Sequence, residues 1–427
     1  MNSIRVVIAI SIIAAATLPA ADITVGAATA RTVSKNLYGI NLWRAFDPET
    51  AESPEYQANL AAMGVSVVRF HNMGMSKWID ASNRCLNTNA VQRVMAALAS
   101  KFPIKLVTIC KPPFWMDENN DKRLDDDHIA DYAAWCADMV HYINIECNAG
   151  VQWWETLNEA ELGGYKQKGD GAVLAGIFRA CKAAMLAKDP SIHVGANAWS
   201  WTMPAQASEL LSIAGNEIAF YSYHGYVTGS SNADMQSIYD KAVTADNTKV
   251  RNALTERGFT LPVWLDEWNM FYNWQADSKR HFMVSYRSAV YDALHMKNAA
   301  ESGGVDYMLA WNDSDNTYGK MSTKYKFFPG GYVFMLYNKY FTGTILSAAS
   351  SESAVVPFAV RNADGSVALS LANRSETPQE VSISADGNFT QYTQYSVETN
   401  GIQTNLSREP LRSLPLAPES VTVLVLK

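Results

Sequence analysis

From residue 37 onward the chain alternates short apolar runs with longer stretches in which apolar residues recur every three or four positions. The short runs are residues 37–42, 65–70, 104–110, 151–157, 193–198, 218–223, 263–267 and 305–311. Brief apolar runs bounded by polar or turn residues are the signature of strands covered on both faces, as in a parallel sheet. Between them, residues 54–63, 90–100, 127–143, 172–187, 235–257 and 280–300 carry apolar residues at helical spacing, with a weaker segment at 205–213. Eight strand–helix alternations with none left over predict an α/β fold closed as a (β/α)8 barrel rather than an open doubly wound sheet. Neither Gly-x-Gly-x-x-Gly nor Gly-Lys-Ser/Thr follows any strand, so a nucleotide-binding fold has no support.

The rhythm changes near residues 330–340 to short alternating runs separated by turn residues. Asp364 and Gly365, a hairpin signal, precede the alternating run 366–371, and the chain closes on 421–426 after Pro418. This predicts a small antiparallel β-sandwich over 342–427, with the catalytic barrel at 37–341. Residues 22–36 begin with an alternating run that can supply a further strand to the sandwich. Residues 1–21 contain one Arg, an apolar run at 6–18, then Pro19, Ala20 and Ala21. That run is short for a membrane span, and small residues after it suit a signal peptidase, so the segment predicts an exported protein, secreted or periplasmic.

The chain has 427 residues, with 35 basic against 42 acidic side chains and a net charge of −7. That length exceeds what one core organises, and the charge argues against a nucleic-acid partner. Once the signal is removed, no later segment is apolar enough to hold the chain in a membrane. The five cysteines at 85, 110, 136, 147 and 181 are odd in number and show no metal-ligand spacing. Cys136 and Cys181 fall on helices that neighbour each other in a barrel, which leaves both a disulfide and a pair of buried thiols open. The acidic run 117–127 lacks the glycine that a calcium-binding loop needs at its sixth position, so it reads as a solvated loop. No histidine pair has metal-ligand spacing, and no cofactor is expected.

In a barrel only the strand ends and the loops after them face the site. The run 151–157 passes straight into Asn158 and Glu159, and the run 263–267 ends on Asp266 and Glu267. A carboxyl at a barrel mouth with little water around it has a raised pKa and can donate a proton, which is what a glycosidic oxygen needs in order to leave. Glu155, Glu161, Asp266, Asp306 and Asp313 are rival carboxylates. Glu155 lies deeper in its strand than Glu159 and reads as a member of a buried network.

Leu157, Asn158 and Glu159, followed about a hundred residues later by Asp266, Glu267, Trp268 and Asn269, resemble clan A of the retaining glycoside hydrolases. The second motif is most similar to the family 51 arabinofuranosidases. Pro112, Pro113, Phe114, Trp115 and Met116 are more similar to families 39 and 30. The resemblance covers roughly residues 37–341 as a rhythm. It implies that Glu159 is the acid/base and Glu267 the nucleophile, with Arg69 beside the nucleophile and Asn158 on the substrate 2-hydroxyl. His224, near the end of the sixth strand, would touch the nucleophile or the sugar, and Tyr226 or Tyr223 would donate to Glu267. Trp311 would form the floor under the sugar, with Trp43, Trp115 and Trp268 as further aromatic candidates and His71 and Asn72 within reach of sugar hydroxyls. The resemblance also implies an appended sandwich joined by the N-terminal strand.

The expected function is a secreted retaining glycoside hydrolase acting on β-linked oligo- or polysaccharides. An α-L-arabinofuranosidase is the close alternative, and a non-catalytic glycan-binding protein is the alternative of another class. Asn158, Glu159, Glu267 and Arg69 together argue against the latter. Loops after the strands also carry Arg44, Lys77, Lys111, Lys122, Arg123, Lys166, Lys168, Lys279, Arg280, Lys320, Lys324 and Lys326. Either these ring the mouth and attract an anionic glycan, or they are ordinary solvated loop cations offset by Asp47, Asp117, Asp121 and Asp313.

Overall fold

A computed structural model describes residues 20–71, 77–230, 232–273, 280–387, 389, 391–398, 401–407 and 413–427. The predicted signal segment up to residue 19, and Asn72, lie outside the described residues. Eight parallel strands, β1 (Tyr38–Leu42), β2 (Val67–His71), β3 (Ile104–Thr108), β4 (Trp153–Asn158), β5 (His193–Ala198), β6 (Tyr221–Thr228), β7 (Val263–Phe271) and β8 (Tyr307–Ala310), neighbour one another in sequence order. β8 pairs with β1, and a bridge between Trp199 and Tyr223 joins β5 to β6, which completes the ring. The (β/α)8 expectation therefore holds. At the N-terminal end of the strands, Trp153, Phe220, Trp264 and Tyr307 pack ring against ring, with Val67, Leu106 and Leu309 around them. This apolar plug fills the lower barrel and leaves chemistry to the C-terminal ends.

Several element boundaries differ from the sequence reading. β6 runs to Thr228 rather than ending at residue 223, because its later residues His224 and Tyr226 are polar side chains taken into the barrel, a burial that an apolar count does not register. The predicted helix 235–257 is two helices, Met235–Thr244 and Lys249–Glu256. Asp246 breaks it by accepting from the Thr248 amide at 3.1 Å and hydroxyl at 2.7 Å, a local turn that competes with helix. Cys136 and Cys181 do lie on adjacent helices, Ile129–Val140 and Asp170–Lys188, with their sulfurs 3.8 Å apart as free thiols. Among the described residues no helix is long and apolar enough to cross a membrane.

The C-terminal strands are β9 (Thr344–Ser350), β10 (Val355–Arg361), β11 (Val367–Asn373), β12 (Gln379–Ala385), β13 (Tyr392–Glu398), β14 (Gly401–Ser407), β15 (Ser413–Leu416) and β16 (Ser420–Leu426). The N-terminal strand Ala21–Thr32 lies between β9 and β12, antiparallel to the first and parallel to the second. That parallel pair departs from the purely antiparallel expectation. It arises because the strand enters from the far end of the chain. Strand alternation then divides the residues between two cores. Val367, Leu369 and Leu371 of β11, with Leu424 and Leu426 of β16, fill the sandwich interior. Ala368, Ala372, Val421, Val423 and Val425 from the same strands join the barrel core. At that junction Tyr337 stacks on Phe341 and Phe358 and donates to the Ser370 hydroxyl at 3.0 Å. Nearby, buried Glu419 accepts from Tyr239 and from Arg287, each at 3.0 Å.

Candidate active site

Alternation allows only one of two consecutive strand residues to face the barrel interior, yet both Asp266 and Glu267 do. Opposite Tyr223 and His224 of β6, β7 places Leu265 and Glu267, two steps against one. This β-bulge turns the extra residue, Asp266, inward beside Glu267. Both meet Arg69, which β2 delivers to the barrel axis fully buried. Its Nη1 donates to Glu267 Oε1 at 2.7 Å and to Asn41 Oδ1 at 3.1 Å. Its Nε donates to Glu155 Oε2 at 3.0 Å and its Nη2 to Asn158 Oδ1 at 2.6 Å, while Asp266 Oδ2 lies 3.2 Å away. Since a guanidinium only donates, the oxygen of Asn158 must face it, which directs the amide NH2 of Asn158 away from Arg69. Glu155 is thus the buried network member that its depth in the strand implied.

Glu267 gathers four partners: Arg69, the Tyr226 hydroxyl at 3.0 Å, His71 Nε2 at 3.2 Å and His224 Nε2 at 3.5 Å. The donor is Tyr226; buried Tyr223 lines a separate outer cavity. Burial would raise the Glu267 pKa, but the charge of His224, the His71 hydrogen bond and Arg69 outweigh it and hold the carboxyl ionised, well below the usual range. The opposite happens one residue earlier, where burial and then the charge of Glu155 push Asp266 well above that range. Burial also keeps His71 below its ordinary value.

Glu159 closes β4 in a left-handed conformation, φ 49°, with its amide bonded to Ala198 O at 2.8 Å. Its Oε1 lies 2.7 Å from His224 Nδ1. Burial opposes a charge on His224, but Glu267, Glu159 and Asp266 overcome it and raise this imidazole to about 10. His224 thus lies between Glu159 and Glu267, and potential ligand atoms of Glu159, His224 and Glu267 all lie within 4.8 Å of one another. That spacing suits a metal ion in principle. Here, however, His224 Nδ1 and Glu159 Oε1 are close enough to share a proton, Glu267 already accepts from Arg69 and Tyr226, and the buried Arg69 guanidinium stands alongside, so the group does not fit one.

Above these residues opens a cleft of about 750 Å³ lined by Trp43, Asn158, Glu159, Tyr226, Glu267 and Trp311 among others. Trp311 meets His71 at 4.6 Å and Trp43 at 5.2 Å between ring centres. The neighbouring Trp311–Asn312 peptide is cis. Asp313 fixes the Trp43 loop: its Oδ1 accepts the amides of Trp43 at 3.0 Å and Arg44 at 3.3 Å, and its Oδ2 accepts the Tyr56 hydroxyl. Burial pushes Asp313 up to about 7.

Two aromatic candidates lie elsewhere. Trp268 falls on the outward side of β7 after the bulge and packs against His295 and Phe334 beneath the helices. Trp115 is buried against Phe114 and Trp135 and does not line the cleft. Among the described residues the loop cations do not line the cleft; Lys279 lies outside the described residues. Among the described lining residues the ionisable acids and bases are Glu159, Glu267 and Asp315, and Lys320 is buried on Asp292 at 2.6 Å. The described lining is therefore acidic and gives no support to an anionic glycan. Sequence reasoning missed Leu162, Ser200, Trp201, Tyr272, Asn312, Asp315 and Tyr318, all of which line it. Trp201 was within reach as an aromatic just past the fifth strand. Tyr272 was hidden because β7 continues past Glu267 to Phe271.

The fold and site define a barrel with paired carboxylates at its mouth and a β-sandwich behind it. Residues 345–405 match the glycosyl hydrolase family 30 beta sandwich domain. Among solved structures, a monomeric beta-xylosidase from Caulobacter crescentus CB15 is 17% identical, with TM-score 0.70 over 95% of this chain and 99% of that one. A GH51 alpha-L-arabinofuranosidase from Thermotoga petrophila RKU-1 is 14% identical, TM-score 0.68, over 96% and 100%. A GH30 endoxylanase from Clostridium papyrosolvens C71 is 13% identical, TM-score 0.63, over 95% and 100%. No curated protein matches the chain. The architecture is that of the clan A glycosidases to which the two sequence motifs pointed.

Proposed function

We propose that the protein is an exported retaining glycoside hydrolase that cleaves β-linked oligo- or polysaccharides by double displacement. The observation that carries this reading is the pair Glu159 and Glu267, with carboxylate oxygens within 4.8 Å of each other at one cleft. Retaining enzymes hold their carboxyls about 5–5.5 Å apart, too close to admit a water for direct inversion. Glu267, kept ionised by Arg69, His224 and His71, attacks the anomeric carbon as Glu159 gives a proton to the leaving oxygen. Glu159 then removes a proton from the water that releases the sugar. Asn158 presents its amide NH2 to the 2-hydroxyl, and Trp311 with Trp43 supports the C–H face of the ring.

A second reading, α-L-arabinofuranoside cleavage, is favoured by the GH51 likeness and presents the same faces to both carboxylates. A panel of aryl glycosides separates the two, and proton NMR of the first-formed product is expected to show retained configuration. Glu159→Ala should be slowed least on activated aryl leaving groups, which need no proton. Glu267→Ala should lose turnover of every substrate, with azide yielding a product of inverted configuration. An inverted first product from the unaltered enzyme, or equal losses for Glu159→Ala on activated and natural substrates, would overturn the assignment. Export rests on the sequence of residues 1–21, and N-terminal sequencing of the mature protein tests it.

A further inference from the structure

Resting on the reading of Glu159 as the acid/base, we propose that Glu161 and Asn197 are positioning residues that aim its carboxyl at the departing oxygen. Neither lines the cleft, although their chain neighbours Glu159, Leu162 and Ser200 do. Both are buried, Glu161 being 7% and Asn197 3% exposed. A buried carboxyl must find donors, and those it finds define its work.

Glu159 follows β4 with φ 49°, a left-handed backbone that a residue with a Cβ keeps only where its surroundings impose it. The short turn Ala160–Leu162 comes next, and β5 and the chain just past it hold this segment. The Glu159 amide donates to Ala198 O at 2.8 Å, continuing the pairing of β4 with β5. The Ala160 amide donates to Asn197 Oδ1 at 3.1 Å, and Asn197 Nδ2 donates to Glu161 Oε2 at 2.8 Å. Glu161 Oε1 in turn accepts the Ser200 amide at 2.6 Å, two residues beyond the end of β5. One asparagine and one glutamate thereby tie the left-handed turn to two places on the neighbouring segment. The Glu159 carboxyl is held separately, by His224 of β6 at 2.7 Å. The clamp sets where the Glu159 backbone sits, and His224 sets where its oxygens end.

The pattern of donors and acceptors has no slack. Asn197 must present its oxygen to the Ala160 amide, so its NH2 faces Glu161. Glu161 must then accept on both oxygens, because an NH2 group and a backbone N–H only donate. Glu161→Gln therefore sets an NH2 against one of these two donors whichever way it turns. Asn197→Asp sets a carboxylate against a carboxylate, a conflict that a shared proton relieves only as the pH falls. Made together, the two substitutions restore all three bonds with one of them reversed. The carboxylate at position 197 accepts from the Ala160 amide and from the new amide at position 161, whose oxygen accepts from Ser200.

The test compares the phenyl and 2,4-dinitrophenyl glycosides of one accepted sugar, with the full-length enzyme above neutral pH. Phenol needs a proton in order to leave and dinitrophenolate does not, so the ratio of the two kcat/KM values reports how well the acid is aimed. Because both substrates meet the same folded molecules, that ratio is unaffected by any loss of stability. Glu161→Gln and Asn197→Asp should each lower kcat/KM for the phenyl glycoside about ten- to a hundredfold more than for the dinitrophenyl glycoside, the order that a misplaced proton donor costs. The double variant should regain about tenfold in this ratio over either single one, as residues coupled in one hydrogen-bond network do. Equal losses on both glycosides in the single variants, or a double variant no better than they are, would overturn the proposal, since the pair would then serve the fold alone. Glu159→Ala on the same two substrates separates this inference from the reading beneath it. If Glu159→Ala discriminates between them and the Glu161→Gln and Asn197→Asp variants do not, only the clamp falls; if Glu159→Ala loses equally on both, the acid assignment falls and takes the clamp with it.

Discussion

Replacing Arg69 by Met removes the cation on which the whole buried network converges, and its consequences for stability and catalysis can be separated. At an effective dielectric near 20, a unit charge about 2.7–3.0 Å away contributes roughly 6 kcal/mol of attraction, most of it offset by the cost of desolvating the ions. What the variant exposes is that cost, because Glu155 and Glu267 remain buried. Glu267 keeps His71, Tyr226 and His224, whereas Glu155 loses its Arg69 bond and already has one oxygen without a partner. The loss should be about 3–5 kcal/mol, the usual penalty for breaking a buried pair, out of a total of about 5–15 kcal/mol for a folded domain. Urea titration followed by tryptophan fluorescence measures it. Adding Glu155→Gln removes the stranded charge and should recover about half of the stability but none of the activity, since Glu267 still lacks its guanidinium. Acidification should shrink the Arg69→Met penalty as the carboxyls take up protons. A loss below about 1 kcal/mol, or a double variant no more stable than the single one, would refute the account of Arg69 as the charge that holds these carboxylates buried.

Two further outcomes follow from the same structure. His224, raised from 6.5 to about 10, contributes its full stability below pH 6.5 and loses it as the pH climbs towards 10. Glu267 is lowered from 4.5, so its contribution is full above that value and is lost in acid, while Asp313, raised to about 7, adds a cost as pH rises towards neutrality. Tm should therefore be highest on the acidic side of neutrality, and His224→Asn should flatten the alkaline decline; an unchanged slope in the variant would exclude His224 as its source. Separately, a chain ending at Thr342 should aggregate, since it uncovers the apolar face that Phe358, Val360, Val421, Val423 and Val425 bury in the barrel core. Light scattering checks this, and a monodisperse product would refute it.

The barrel was legible because parallel strands covered on both faces must be apolar, and that pattern survives in a single sequence. The two glutamates were legible for a related reason, since a carboxylate that ends such a run is anomalous and needs an explanation. Trp268 was misplaced because the resemblance offered it only as an aromatic beside Glu267, and the bulge that turns both Asp266 and Glu267 inward and leaves Trp268 outward is a matter of register with two neighbouring strands. Trp115 misled because an aromatic after a strand stacks equally well on Trp135 as on a sugar. Ser200, Trp201 and Tyr272 come together only through loops of different strands, and nothing local in any one of them shows the others. The loop cations left two readings open in the sequence because partners such as Asp292 for Lys320 and Asp170 for Arg123 are revealed only in three dimensions.

The N-terminal strand gives synthesis of this protein an awkward order. Ile23 pairs with Ser350, so this strand waits for a partner 350 − 23 = 327 residues away. At roughly 5–20 residues per second the wait is on the order of half a minute, and the barrel is complete for little of it. An orphan strand is an aggregation hazard, but this one is poorly suited to stray pairing, because only Ala21, Ile23 and Val25 are apolar residues destined for burial and the positions from Ala27 to Thr32 face solvent. Its two neighbours in the finished sheet come from beyond the barrel, so the strand Ala21–Thr32 sets only together with Thr344–Ser350 and Gln379–Ala385, after the barrel between them has been made.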